Sequence, residues 1–155
     1  MRKSITVQVL VEAPQQIVFD IFTQHETYRK LPVVKNTVLL QAGEGNESNG
    51  LGAVREIKTI AGILREKVIA IDHPNYWDYL FIAWPLPFSH GGGRMQFEPV
   101  SKGTLVTWQT SYEIGTNPLW KMTTPTISVF NKVFLKYLGF KMRKIAISDT
   151  KAKTH

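Results

Sequence analysis

The sequence predicts an α+β protein in which a curved antiparallel sheet of about seven strands wraps a long C-terminal helix, with two short helices after the first strand. Three observations carry that expectation. Apolar and polar residues alternate with a period of two in a series of short segments between residues 4 and 114. Clusters of Gly, Pro, Asn and Ser separate those segments. From Pro125 to Ser148 the period changes, and apolar residues recur at spacings of three and four.

The elements follow in order. Ser4–Val11 alternates, with Ile5, Val7, Val9 and Val11 on one face of a half-buried strand. Glu12-Ala13-Pro14 breaks it and opens a helix over Gln15–Thr23, whose Ile17, Ile21 and Phe22 turn inward. A second short helix over His25–Lys30 ends at Leu31-Pro32, because the residue before proline disfavours helix. Val34–Ala42 is the second strand and Gly43–Gly50 a flexible turn. Gly52–Ile60 and Ile63–Asp72 form a hairpin about Ala61-Gly62, which sets Arg55 opposite Glu66 as a cross-strand pair. After His73-Pro74-Asn75, Tyr76–Ala83 is the fifth strand, with Trp77, Tyr79 and Phe81 on one face and Asp78, Leu80 and Ile82 on the other. Both faces are partly apolar, so alternation leaves open which one turns inward.

Trp84–Ser89 holds two prolines and reads as a loop. Gly92–Val100 and Thr104–Ile114 form the last hairpin about Ser101-Lys102-Gly103, the final strand carrying Val106, Trp108, Thr110 and Tyr112 on one face. The long helix then starts at Pro125, with Thr124 as N-cap. Ile127, Phe130, Phe134, Leu138, Met142 and Ile145 make its apolar stripe, and Lys132, Lys136 and Arg143 fall elsewhere. The 155 residues read as one domain, with residues 151–155 as a frayed tail.

Composition narrows the function classes. Hydrophobic residues make up 43% and charged residues 20%, ordinary for a soluble globular chain. No cysteine is present, which excludes disulfides and thiolate chemistry. The basic start Arg2-Lys3 is followed by alternation instead of an apolar run, so the reading is a cytoplasmic protein without a signal peptide. Residues 1–120 are net neutral, whereas residues 121–155 hold eight Lys/Arg and only Asp149. That basic helix suggests peripheral contact with an anionic membrane surface, while no nucleic-acid-binding motif accompanies the charge.

Four segments carry a resemblance: VEAPQQIVFDIF (Val11–Phe22), YRKLP (Tyr28–Pro32), the meander Gly50–Phe81, and FEPVSKGTLVTWQTSYE (Phe97–Glu113). In this order they resemble the helix-grip fold of the START-like or SRPBCC superfamily, in its polyketide cyclase/dehydrase and lipid-transport branch. The resemblance implies a cavity between sheet and helix. It implies no universal catalytic set, since members include carriers, sensors and enzymes.

The residues themselves exclude several chemistries. His25-Glu26 begins like a zinc-protease motif, but Arg29 stands where the second histidine belongs, so no metal is assigned. Neither Gly91-Gly92-Gly93 nor the Gly43–Gly50 run has the form of a phosphate loop, and no nucleophile motif is present; no cofactor is expected. His90, Asp78 and Tyr79 are the candidate catalytic residues. His90 would act as acid or base at the cavity mouth, and Arg94, across the glycines, as an anion or carbonyl anchor. Trp84, Phe88, His90, Arg94, Phe97, Trp108, Tyr112, Phe130, Phe134 and Leu138 are the candidate ligand-binding residues. The expected partner is a hydrophobic or amphipathic small molecule, a lipid, isoprenoid or polyketide. Binding ranks ahead of a cofactor-independent cyclase or dehydrase, and both ahead of a surface-interaction protein using the basic helix.

Overall fold

The computed structural model describes residues 2–84, 89–113 and 118–153, with backbone only for 119–128, 130, 131 and 153. Seven strands form one sheet: β1 (Arg2–Val11), β2 (Val34–Gln41), β3 (Val54–Thr59), β4 (Gly62–Asp72), β5 (Tyr76–Ala83), β6 (Ser89–Val100) and β7 (Gly103–Glu113). Their spatial order is β1-β7-β6-β5-β4-β3-β2, antiparallel throughout. β2 to β7 are a simple meander, and β1 closes onto β7 through the register Val7↔Trp108. The chain therefore has the α+β helix-grip architecture, a curved seven-stranded antiparallel sheet with a C-terminal helix.

Alternation decides which side of each strand meets the core. Ile5, Val7 and Val11 of β1, Val106, Trp108 and Tyr112 of β7, Met95 and Phe97 of β6, and Trp77 and Tyr79 of β5 are buried on one concave face. The first helix, α1 (Gln15–Thr23), closes one end of that face: Phe19 and Phe22 meet Phe97 with ring centroids 5.0 and 6.0 Å apart. Its buried line is Val18, Phe19, Phe22 and Thr23, so Ile17 and Ile21 sit at the margin instead of the centre. The expected second helix is a single 3-10 turn over Thr27–Lys30.

The long helix, α2, runs Pro118–Lys153, starting before and ending after the expected 125–148. Pro118 takes the first-turn position that the sequence reading gave to Pro125, and Pro125 lies inside the helix, where it removes one ladder donor. The line that α2 buries is Leu135, Gly139, Met142 and Ala146. Of the expected stripe, Met142 belongs to it, Leu138 and Ile145 are partly buried beside it, and Phe134 is 37% exposed. The reason is the small residues. A Cβ on Gly139 would stand 2.8 Å from Val9 Cγ2, so the helix can lie this close to β1 only where it carries no side chain. Glycine and alanine have no signal in a hydrophobic period, so the stripe expected from large residues was rotated from the true contact. Arg143 fixes the crossing: its Nε donates to Leu10 O at 2.9 Å and an Nη to Glu12 Oε1 at 3.2 Å. No helix among the described residues is long and apolar enough to cross a membrane.

Candidate functional site

The middle of the concave face is built around one glycine. Gly93 of β6 lies opposite Tyr79 of β5 and Thr110 of β7. A Cβ there would stand 2.2 Å from Tyr79 Cζ and 2.5 Å from its hydroxyl oxygen. The missing side chain lets the Tyr79 ring lie flat across β6 and reach β7, where Trp108 Nε1 donates to Tyr79 Oη at 2.8 Å. Beside it the strand bulges: the register slips between His90 and Gly92, and Gly92 takes a φ of +104° that L side chains rarely adopt. The extra residue reverses the alternation, so His90 faces inward like Gly93, Met95 and Phe97.

A bank of rings results. Trp77 stacks on Tyr79 at 5.2 Å, Tyr79 on His90 at 5.5 Å, His90 lies 4.3 Å from Phe81, and Trp84 packs 5.6 Å from both Phe81 and His90. The polar groups in this bank form an ordered chain. The backbone N–H of Phe81 donates to His90 Nδ1 at 3.1 Å, which fixes Nδ1 as the acceptor of a neutral imidazole. Nε2 therefore carries the ring proton and donates to Thr110 Oγ1 at 2.7 Å. Burial pushes the His90 pKa down to about 4, so the ring is neutral at physiological pH. Thr110 in turn bonds Tyr79, whose oxygen also accepts from Trp108. Burial raises the Tyr79 pKa, and the bonds from Trp108 and Thr110 only partly oppose that. Tyr79 stays protonated, so the chain ends on a neutral hydroxyl buried between Trp108 and Thr110.

A second polar cluster adjoins the first. Arg55 of β3 is fully buried, pairs with Glu66 of β4 through Nε at 3.0 Å and through Nη2, and donates Nη1 to Thr23 O. Its guanidinium lies 4.8 Å over the Trp77 ring and 5.5 Å from Tyr28. Burial alone would lower the Arg55 pKa, but the Glu66 carboxylate and then Tyr28 more than offset it, and the group is held charged. The expected cross-strand pair is thus present, and it lies in the core. Trp77 Nε1 and His25 Nδ1 are buried without a hydrogen-bond partner among the described residues.

The sequence candidates divide. His90, Tyr79, Trp84, Phe97, Trp108 and Tyr112 share the concave face, although Phe97 belongs to the end closed by α1. Leu138 is partly buried against the core, and Phe134 is more exposed. Phe88 and the side chain of Phe130 lie outside the described residues. Asp78 and Arg94 do not join the others. Both sit at outward positions of their strands, joined by two 2.7 Å bonds, with Arg94 4.4 Å over Tyr76 and both lining a shallow 240 Å³ depression on the convex face. The bulge explains the error: it sends His90 inward and leaves Arg94 outside, so the two do not flank a common mouth. Their mutual ion pair would also be costly in the core. Trp77, Phe81, Gly93 and Thr110 were absent from the candidates. The usable signal was a bulky aromatic facing a glycine across two strands, and it needs the register to be read.

Among the described residues no three His, Asp or Glu side chains stand together as a metal site would need. The family described as polyketide cyclase/dehydrase and lipid transport matches residues 2–136. No curated protein sequence matches significantly. Solved structures are similar in fold. A START superfamily protein from Mycobacterium smegmatis aligns with a TM-score of 0.75 at 15% identity, covering 96% of this chain and 99% of that one. A norcoclaurine synthase point mutant from Thalictrum flavum, in complex with a transition-state analogue, aligns at 0.68 and 15% identity, covering 96% of each chain. The di-domain ARO/CYC BexL from the BE-7585A biosynthetic pathway aligns at 0.71 and 18% identity; 96% of this chain covers 50% of it. With the family matched over residues 2–136, the chain belongs to the polyketide cyclase/dehydrase and lipid-transport family, and it shares its fold with these structures.

Proposed function

We propose that the protein binds a hydrophobic or amphipathic small molecule of lipid, isoprenoid or polyketide type between its sheet and its C-terminal helix, anchored by a neutral oxygen acceptor such as a carbonyl. The observation that carries this reading is the buried, protonated Tyr79 hydroxyl, set among Trp77, Phe81, Trp84 and Trp108. Apolar rings supply the contact area, and the Tyr79 hydroxyl and Trp77 Nε1, unpartnered among the described residues, supply orientation. A carboxylate ligand fits less well, because Arg55, the charged cation of the concave face described above, is already held by Glu66. The family description, which includes lipid transport, supports the same class.

The second reading is a cofactor-independent cyclase or dehydrase with Tyr79 as general acid. It needs a base as well. His90 spends its lone pair on Phe81 N–H, and Asp78 points outward, so binding remains the better reading.

Quenching of tryptophan fluorescence by a naphthoquinone and by naphthalene tests the proposal. The quinone should bind about tenfold more tightly, the value of one buried hydrogen bond. Tyr79→Phe should remove that advantage and leave naphthalene binding unchanged. Equal affinity of wild-type protein for the two probes, or no saturable binding of either, would overturn it. Turnover of a linear polyketide thioester mimic, lost in Tyr79→Phe, would instead favour the enzyme.

A further inference from the structure

The outward face of α2 is apolar where a surface helix is expected to be polar. Opposite the buried line Leu135, Gly139, Met142 and Ala146 stand Val129, Val133, Tyr137 and Phe140, exposed to 64, 62, 39 and 45%. Their spacings of four, four and three keep them in one row. The row borders a groove of about 530 Å³ between the helix and β1, walled by Val9, Leu10, Val133, Tyr137, Phe140 and the stem of Lys136. This groove is on the flank of the edge strand, separate from the ring bank inside the sheet.

Cations flank the row. Lys132 and Lys136 lie along one side; Lys141 and Lys144 reach the other, their ammonium groups 5.5 Å from the Tyr137 ring and 4.8 Å from that of Phe140. Of these four and Arg143, only Arg143 has a carboxylate partner among the described residues, Glu12. Asp149 is the sole acid in residues 121–155, and the rest of the chain is net neutral.

We propose that this face docks the protein on an anionic lipid bilayer, with Val129, Val133, Tyr137 and Phe140 entering the interface and the lysines meeting lipid phosphates. The arrangement fits that surface because an apolar row edged by cations matches acyl chains beneath anionic headgroups. A second copy of the chain fits worse. Two such faces would bring like charges together. The docking is independent of the interior binding reading, since it uses no residue of the ring bank.

Flotation with phosphatidylcholine vesicles, with and without phosphatidylserine, tests it. Wild-type protein should float with the serine-containing vesicles, weakly with the others, and release as salt is raised. Each lysine near an anionic surface is worth roughly fivefold in partitioning. Lys132→Glu/Lys136→Glu/Lys144→Glu should therefore weaken binding by about a hundredfold or more, with an unchanged circular dichroism spectrum. Val133→Asn/Phe140→Asn, also at exposed positions, should weaken it on serine-containing vesicles too, whereas Tyr79→Phe should not. Failure of wild-type protein to float with anionic vesicles, salt-insensitive flotation, or a solution dimer that Val133→Asn/Phe140→Asn dissolves would each overturn the proposal.

Discussion

Gly93→Ala is the sharpest perturbation of the concave face, because it adds one methyl group where the structure has no room for it. The new Cβ would lie 2.2 Å from Tyr79 Cζ, well inside contact distance, and the ring is held between Trp77 and His90. Tyr79 must tilt off the sheet. Overpacking of this kind costs about 1–3 kcal/mol. Tilting also withdraws the acceptor of Trp108 Nε1–H, and a buried donor left unpaired costs about 1–3 kcal/mol more. The smaller entropy of an alanine-containing unfolded chain returns about 0.4–1 kcal/mol. The net expectation is a loss of about 1–5 kcal/mol, or about 2–20 °C in melting temperature for a domain of this size. Urea unfolding followed by tryptophan fluorescence measures it. The same substitution in a Tyr79→Leu background should cost less than about 1 kcal/mol, because the clashing atoms are gone. An equal loss in both backgrounds, or a wild-type midpoint for Gly93→Ala alone, would show that the ring does not lie across Gly93.

Three further outcomes follow from the same geometry. Arg55→Met leaves Glu66 buried without its cation and should cost about 3–5 kcal/mol, whereas Arg55→Met/Glu66→Met should recover most of that loss; a double variant as unstable as the single one would refute the account of the pair. His90 has a folded pKa of about 4, below the ordinary histidine value near 6.5, so the unfolded chain binds the extra proton first as pH falls. The contribution of His90 to stability is therefore complete above about pH 6.5 and is lost between there and pH 4. It amounts to about 2 kcal/mol once partial solvent contact is discounted, and urea midpoints of wild type and His90→Gln should converge over that range; parallel profiles would refute it. Thr110→Val removes the link between His90 and Tyr79 and should cost about 1–2 kcal/mol while weakening quinone binding; unchanged stability would show that Thr110 is not part of the chain.

Much of the fold was legible because the strands report themselves through alternation, and their boundaries fall at Gly, Pro and Asn. The site was less legible. Alternation named Trp77, Tyr79 and Phe81 as one face of β5 but left the inward side open, since Leu80 and Ile82 make the other face apolar as well. The bulge at Gly91-Gly92 was invisible because a glycine run gives no sign of where its register slips. That single unread residue displaced His90 from a loop to an inward strand position and wrongly gave Arg94 a place beside it. On α2, large residues suggested one stripe, while Gly139 and Ala146 set the contact. The helix carries apolar side chains on more than one face, and period alone cannot rank the faces.

The polar groups of this protein are sorted by charge as well as by position. Inside the sheet, the ions described are one mutually satisfied pair, Arg55 and Glu66, and the nearby histidine and tyrosine are held neutral by burial. Outside, along α2, four lysines stand beside exposed apolar side chains with no carboxylate partner among the described residues. Low dielectric makes an unpaired interior charge expensive, so the interior can discriminate by hydrogen bonding to neutral oxygen but has little with which to hold an anion. The helix surface has the opposite character, since its exposed cations are cheap to keep and attract anions over a Debye length. Substitutions that alter ligand preference should therefore fall on Tyr79 and Thr110, and those that alter surface attachment on Val133, Lys136 and Phe140. One route for a coupling between the two sets is the close crossing of Gly139 on Val9. Enlarging that crossing with Gly139→Ala is the substitution that would reveal it, by changing quinone affinity and vesicle flotation together.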